Sequence, residues 1–156
     1  MKIRAIGDLA NLIAAVGVVI SLLFVAFEVN QNTEASRAAN RHTVIADLRE
    51  QLLVRAQSPS LAAVLEAAGS GTELTPTQQS QYRGYLYATI KSVEEAFSQY
   101  MEGQLDKEYL DTRIAGLMIP DFLGNETGRN LYERYKTSGQ LTAAFSQEVD
   151  SRLVER

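Results

Sequence analysis

The sequence predicts an all-α protein in which an N-terminal transmembrane helix continues into a long helix, followed by a small helical bundle. A long uncharged apolar run lies near the start of the chain, and further along apolar residues recur at spacings of three and four. No segment shows sustained period-two alternation between turns, so no sheet is expected. The predicted domains are a transmembrane anchor, residues 1–30, and a soluble α-helical domain, residues 31–156.

The predicted anchor is the run of residues 9–27, which contains no charge and is bracketed by Asp8 and Glu28. At about 1.5 Å of rise per residue, a helix of this length just crosses a hydrocarbon core about 30 Å thick. Its polar interruptions are mild, because Asn11 lies near one end and the Ser21 hydroxyl can bond to its own helix backbone. We therefore expect a single-pass helix in the lipid bilayer.

Two alternatives compete with this interpretation. A secretory signal peptide would also place basic residues before an apolar core, but such cores are about 7–15 residues long. No small-x-small cleavage site follows the run here. The other alternative is a buried core helix, although a domain of this size rarely buries every side of so long a helix.

Small residues form a stripe along the predicted anchor, at spacings of four, three and four: Ala10, Ala14, Gly17 and Ser21. Such stripes let two helix backbones approach closely in lipid, where packing drives association. The stripe predicts a homo-oligomer or contact with another membrane protein. The alternative is that Ala and Gly are simply frequent in membrane helices.

The basic residues that flank the apolar run do not decide on which side of the membrane the soluble domain lies. Two basic residues, Lys2 and Arg4, precede the apolar run, and two more, Arg37 and Arg41, follow it within reach of the positive-inside rule. The nearer pair favours a cytoplasmic N-terminus.

Composition excludes several functional classes. The net charge of the 156 residues is −4 and the pI is about 5.1, and no Lys/Arg-rich block occurs, so no nucleic-acid partner is expected. The absence of cysteine excludes disulfides, thiolate catalysis and cysteine-ligated metals. No phosphate-binding glycine motif or dinucleotide fingerprint occurs, and no cofactor is expected.

The predicted helices follow from breakers and spacing. The first continues to about residue 56, because residues 29–57 lack Pro and Gly. Ser58-Pro59 and Thr75-Pro76 each combine an N-cap with a first-turn proline, and they start helices over 59–68 and 76–102. A helix over 106–118 should end at Ile119-Pro120, with a loop at 121–125. Two more helices are predicted over 126–136 and 140–154.

The single histidine gives one weak catalytic motif. The spacing Arg37-x4-His42 matches the arginine–histidine motif of HEPN-type helical ribonucleases, although Ala38 replaces the polar residue usual after the arginine. The alternative is a solvated helix surface. One histidine is too few for a ferritin-like di-iron site, which needs a Glu-x-x-His on each of two helices.

Polar residues on the long helix suggest a second candidate. Glu95 and Gln99 could form a buried hydrogen-bonded pair joining helices, with plain surface polarity as the alternative. Adjacent Glu94 and Glu95 point in different directions, which is poor geometry for shared acid–base chemistry. The seven tyrosines most often pack at the core edge in a small bundle, and a ligand-binding aromatic pocket is the alternative.

Three stretches carry a resemblance to known proteins: residues 27–33 (FEVNQNT), the Ser58-Pro59 helix start, and residues 95–106 (EAFSQYMEGQLD). Together they resemble a widespread group of uncharacterised bacterial membrane-anchored helical proteins. The resemblance implies a bacterial inner-membrane location and a helical bundle, and it carries no activity or catalytic residues.

The sequence thus favours a non-enzymatic, membrane-anchored interaction or assembly protein that self-associates through its transmembrane helix. One alternative is an oligomeric pore or transport-accessory protein lined by Asn11, Ser21 and Glu28, although these three do not share one clean stripe. The other is the HEPN-like ribonuclease.

Overall fold

The computed structural model describes the backbone of residues 2–154 and the side chains of residues 14–154. The regular secondary structure of these residues is entirely helical, with no strand, so the all-α prediction is confirmed. The helices are α1 (Lys2–Gln57), α2 (Pro59–Gly69), α3 (Pro76–Met101), α4 (Lys107–Arg113), a π-helix (Ile114–Leu123), α5 (Glu126–Thr137) and α6 (Ala143–Val154).

The chain divides into two compact units, Met1–Ala39 and Asn40–Arg156. In the first, every side chain from residue 14 to residue 36 is exposed. This part of α1 has a mean hydropathy of 1.8 over its most apolar window. Among the described helices, α1 is therefore the one long and apolar enough to span a membrane. Length and composition would equally suit a signal sequence or a soluble core helix.

The predicted helix starts are confirmed by their caps. The hydroxyl of Ser58 accepts a hydrogen bond from the Leu61 N–H at 3.3 Å, ahead of α2. At the start of α3, Thr75 and Gln78 form a reciprocal capping box, in which each side chain bonds to the other residue's backbone N–H. These bonds satisfy N–H groups that have no partner within the helix. They fix where each helix begins.

The core of the second unit surrounds α3. Leu86, Ile90 and Val93 are 0% exposed and repeat at helical spacing. Side chains from every later helix pack around them, including the fully buried Leu110, Ile114, Met118, Phe145 and Val149. The aromatic rings of Phe97 and Phe145 pack in a tilted arrangement with centroids 5.7 Å apart, which joins α3 to α6.

The predicted break at Ile119-Pro120 is wrong, because the chain stays helical through it as a π-helix. In an α-helix the proline ring clashes with the carbonyl four residues earlier, here that of Gly116. The wider π turn moves that carbonyl away, and the Gly124 N–H bonds to the Ile119 oxygen, five residues back, at 2.7 Å. Ile119, Phe122 and Leu123 are buried, so packing maintains the helix where local preference would end it.

The predicted start of the last helix at Gln140 is also wrong, since α6 begins at Ala143. Gly139 has φ 72°, a left-handed conformation that ends the preceding segment in a turn. The N–H of Thr142 then bonds to a carboxylate oxygen of Glu94 at 2.7 Å instead of opening the helix earlier. A side chain from α3 therefore sets the start of α6.

Gly128 marks a close approach between α5 and the π-helix. A Cβ atom added at this position would lie 2.0 Å from the carbonyl oxygen of Phe122. The Gly128 N–H bonds to the Asn125 side chain, which caps α5, at 2.8 Å. The absence of a side chain is therefore what allows the backbone of α5 to pack against the π-helix.

Candidate functional site

The residues of the nuclease hypothesis lie in different units and are described separately. In the first unit, the Arg37 guanidinium forms an ion pair with Glu34 at 3.5 Å. In the second, His42 is exposed. Nothing observed at either residue adds to the motif, so the ribonuclease hypothesis stays a prediction.

The predicted helix–helix interface is exposed over its described part. Ala14, Gly17 and Ser21 are all exposed, and the Ser21 hydroxyl donates to the Gly17 carbonyl at 2.8 Å. The side chains of Ala10 and Asn11 lie outside the described residues. Glu28, the third residue of the predicted pore lining, is exposed. The interface therefore remains a prediction whose described members are accessible to a partner helix.

The predicted pair of Glu95 and Gln99 is hydrogen-bonded but does not join two helices through the core. The Gln99 amide donates to the Glu95 carboxylate at 3.3 Å within α3, and Glu95 is exposed. The reason is helical phase, because Val93 and Phe97 face the core and the acidic residue beside them on that face is Glu94. Position 95 lies about 100° further round the helix.

Glu94 is the buried acidic residue of α3, only 5% exposed, and it joins α3 to the turn before α6. One carboxylate oxygen accepts the Thr142 N–H at 2.7 Å, and the other accepts from Lys91. Burial alone would raise the pKa of Glu94, but these hydrogen bonds outweigh it and lower the pKa below its usual value. Its position between Val93 and Phe97, within the apolar repeat, is the sequence signal that could have identified it.

A second polar cluster joins α5 to α6. The buried Tyr132 hydroxyl donates to the Asp150 carboxylate at 3.0 Å and lies 3.2 Å from the Ser146 carbonyl. Lys136 contacts the other oxygen of Asp150 at 2.6 Å and lies over the Tyr132 ring. Burial, reinforced by the nearby Asp150 charge, raises the pKa of Tyr132, so its hydroxyl stays protonated and acts as a donor. The cluster stabilises the packing of two helices.

Arg113, at the end of α4, is the least expected polar residue of the core. It is 1% exposed and donates through Nη2 to the Ser92 hydroxyl, whereas its Nε and Nη1 have no hydrogen-bond partner among residues 14–154. Burial lowers the pKa of Arg113, and the charge of Asp47 on α1 partly opposes this effect. No sequence pattern predicts a buried arginine here, because its burial depends on how α4 packs against α3.

A cleft on the second unit lies between α3, α5 and the turn before α3, with a volume of about 380 Å³. Two arginines, Arg83 and Arg134, line it. The tyrosines do not build a shared ligand-binding pocket there, since of the seven only Tyr82 lines this cleft. Within residues 14–154, no group of three or more acidic, histidine or cysteine side chains is arranged to hold a metal ion.

Comparisons of the chain with protein-family models, with curated proteins and with solved structures find no match. The functional argument therefore depends on the residues and contacts described above.

Proposed function

We propose that this chain is a membrane-anchored helical interaction protein that self-associates through its N-terminal helix. The observation that carries the proposal is the exposure of the apolar part of α1. Ten large apolar side chains there are between 50% and 66% exposed: Val16, Val18, Val19, Ile20, Leu22, Leu23, Phe24, Val25, Phe27 and Val29. They cover the helix surface except for the face that carries Ala14, Gly17 and Ser21, as in a segment covered by lipid over most of its circumference.

Water is an unfavourable environment for such a segment. Soluble monomers rarely expose contiguous apolar patches above a few hundred Å². Burying one large apolar side chain contributes about 1.5–3 kcal/mol, so transferring ten of them into lipid is strongly favourable. The bilayer is therefore the environment that best accounts for this part of the helix.

The polar groups of the segment support the same location. In a bilayer, unsatisfied polar groups are costly, and helices satisfy the backbone internally. The Ser21 hydroxyl donates to the Gly17 carbonyl at 2.8 Å, and the Thr33 hydroxyl donates to the Val29 carbonyl at 2.9 Å. Both hydroxyls therefore enter or border lipid without needing an outside partner.

Self-association follows from the stripe of small residues. Gly17 has open space where a side chain would be, and Ser21, four residues further on, uses its hydroxyl internally. A second helix can therefore approach the backbone closely on this face. Apart from Ala15 and Ala26, larger apolar side chains cover the rest of the segment, so this face is the one that supports the closest packing.

Flotation on liposomes tests the anchor. The full-length chain should float with phosphatidylcholine vesicles, whereas the double variant Val19→Asp/Leu22→Asp should stay in the aqueous fraction. Each charge at the centre of a membrane helix costs about 2.5–3.5 kcal/mol on insertion scales. The exposed substitution Ala38→Asp, outside the apolar segment, is the matched control and should still float. An unmodified chain that stays in solution would contradict the anchor.

Light scattering in uncharged detergent tests self-association. The unmodified chain should form a dimer or a larger oligomer, and Gly17→Leu should convert it to a monomer by blocking close approach. Val19→Leu changes a position two residues away, on the opposite side of the helix, and should leave the oligomer intact. A monomer before any substitution, or an oligomer insensitive to Gly17→Leu, would refute this part of the proposal.

A further inference from the structure

The cleft between α3 and α5 is built from matching faces of the two helices. Gln79, Tyr82 and Arg83 are spaced by three and four residues on α3, so they share one face. Asn130 and Arg134 are spaced by four on α5 and share the opposing face. The turn formed by residues 71–74 closes a third side. Its volume of about 380 Å³ falls within the range of small-molecule sites.

Hydrogen bonds between these elements keep the cleft formed. The Tyr135 hydroxyl donates to the Arg83 carbonyl at 3.3 Å, and the Tyr82 hydroxyl donates to the Asn125 side chain at 3.4 Å. The side-chain amide of Gln79 donates to the Leu74 carbonyl at 3.0 Å and holds the turn against α3. Both helices and the turn are thus fixed relative to one another, so little ordering is needed when a ligand binds.

The two arginines of the cleft lack an acidic partner. Three other arginines of this unit, Arg41, Arg55 and Arg152, pair with carboxylates, as Arg41 does with Asp106 at 3.0 Å. Within residues 14–154, no carboxylate lies within 4.0 Å of the guanidinium of Arg83 or Arg134. The cleft therefore presents positive charge on a chain whose net charge is −4.

The positive charges of Arg83 and Arg134 both affect the pKa of one side chain, that of Tyr135. Burial raises the pKa of the Tyr135 hydroxyl, and the charges of Arg83 and Arg134 oppose that rise. Both positive charges are therefore close enough to influence one hydroxyl near the C-terminal end of α5. Glu73 is the acidic residue among those that line the cleft, so the charge of its lining is net positive.

The floor of the cleft is less polar than its rim. Leu74 and Tyr82 are 7% and 1% exposed, and Leu131 is half-buried beside them. A ligand with an apolar body would cover this floor, while an anionic group would reach the guanidinium groups. Asn130 supplies a further hydrogen-bonding side chain at the rim.

We propose that this cleft binds a small organic phosphate, with Arg83 and Arg134 contacting the phosphate oxygens and Leu74 and Leu131 contacting the organic body. A guanidinium presents two parallel N–H donors that match the geometry of a phosphate group. The positive charges of the two guanidinium groups attract a phosphate monoester and outweigh the one negative charge of Glu73 in the lining. This assignment does not depend on the membrane anchor, since every residue of the cleft belongs to the second unit.

Isothermal titration of the full-length chain in phosphatidylcholine nanodiscs tests the site, with phenyl phosphate as the probe. Phenyl phosphate should bind, and inorganic phosphate should bind more weakly because it leaves the apolar floor uncovered. Arg83→Gln and Arg134→Gln should each weaken binding by at least about tenfold, the loss expected for hydrogen bonds to a charged group. Arg49→Gln, an exposed arginine that does not line the cleft, is the matched control and should bind as the unmodified chain does.

Several outcomes would overturn the proposal. They are the absence of phenyl phosphate binding, binding that both cleft variants retain, and an equal loss in Arg49→Gln. Nanodiscs containing phosphatidylglycerol distinguish a lipid phosphate from a soluble one. Unchanged phenyl phosphate affinity in these nanodiscs supports a soluble ligand, whereas competition through Arg83 and Arg134 would assign the site to a lipid headgroup and overturn the assignment made here.

Discussion

The part of α1 within the second unit and the interior of the bundle are stabilised by different kinds of contact. Residues 40–57 bind the rest of the unit mainly through polar groups, as in the Arg41–Asp106 and Arg55–Asp121 ion pairs at 3.0 Å and 2.9 Å. Among the described side chains of α1, Val44 alone is buried. The interior around α3 is instead apolar, with Leu86 and its neighbours fully excluded from water.

This difference indicates which part of the unit yields first. Exposed ion pairs contribute only about 0–1 kcal/mol each, whereas a buried leucine contributes several times as much. Helices α2 to α6 can therefore remain folded when residues 40–57 detach. The segment that follows the apolar helix is then a low-stability region, of the kind from which moving elements are drawn.

The largest expected effect comes from truncating a buried apolar side chain, once in the bundle interior and once in residues 40–57 of α1. Leu86→Ala should lower the free energy of unfolding by about 3–5 kcal/mol, because it leaves a cavity in a closely packed core. Val44→Ala should cost only about 1 kcal/mol. All seven tyrosines lie between residues 82 and 135, so tyrosine fluorescence during urea unfolding in uncharged detergent reports on the bundle. Equal losses from the two substitutions would contradict the comparison.

The next effect tests the tight packing inside the bundle. Gly128→Ala should destabilise it by about 2–3 kcal/mol, because the new Cβ would lie 2.0 Å from a backbone oxygen of Phe122 and the helices must separate. Gly84→Ala is the matched control, since Gly84 lies in α3 with nothing within 4 Å of an added Cβ. It should stabilise the chain by about 0.5–1 kcal/mol through helix propensity. The same unfolding assay measures both.

The stability of the bundle should depend on pH through the carboxylate of Glu94. Its pKa is lower in the folded chain than in the unfolded chain, so its stabilising effect is complete above the unfolded pKa. That effect should be lost as the pH falls through the folded pKa. Glu94→Gln should cost about 1–2 kcal/mol at neutral pH and flatten this acid dependence. Glu95→Gln, on the exposed side of α3, should leave the pH profile of unfolding unchanged.

Replacing Arg113 should have a smaller effect on stability, and one of opposite sign. Burial lowers the pKa of Arg113, so its charged form is less stable in the folded chain than in water. Arg113→Met keeps an unbranched side chain of similar length and removes two nitrogen atoms that lack partners. We expect the free energy of unfolding to rise by about 1 kcal/mol. A marked loss would mean that the guanidinium has a partner in solution that compensates for its burial.

The smallest effect concerns the ion pairs of α1. Arg41→Ala and Arg55→Ala should each cost about 0.5 kcal/mol. Raising the salt concentration to about 1 M should speed amide hydrogen exchange in residues 40–57, because screening weakens exposed charge pairs. Exchange in the centre of α3 should not change. If both segments responded equally to salt, residues 40–57 would belong to the same cooperative unit as the core.

Much of the fold was predictable because local signals agreed with packing. The caps at Ser58 and Thr75 and the apolar repeat of α3 each specify their helix from nearby residues alone. The helix through Pro120 was not predictable, since the wider π turn depends on burial of residues around it. The long apolar part of α1 could be predicted from its uncharged run, whereas the burial of Arg113 and the pairing of Glu94 with Thr142 depend on contacts distant in sequence.

The most direct test of the account is whether the apolar part of α1 lies in lipid. The chain contains no cysteine, so Leu22→Cys and Ala38→Cys each introduce a single reactive thiol. In nanodiscs, which expose both membrane faces, a water-soluble maleimide should label the Ala38→Cys variant rapidly. It should leave the Leu22→Cys variant unlabelled until detergent is added. Equal labelling rates for the two variants before detergent would contradict the membrane anchor.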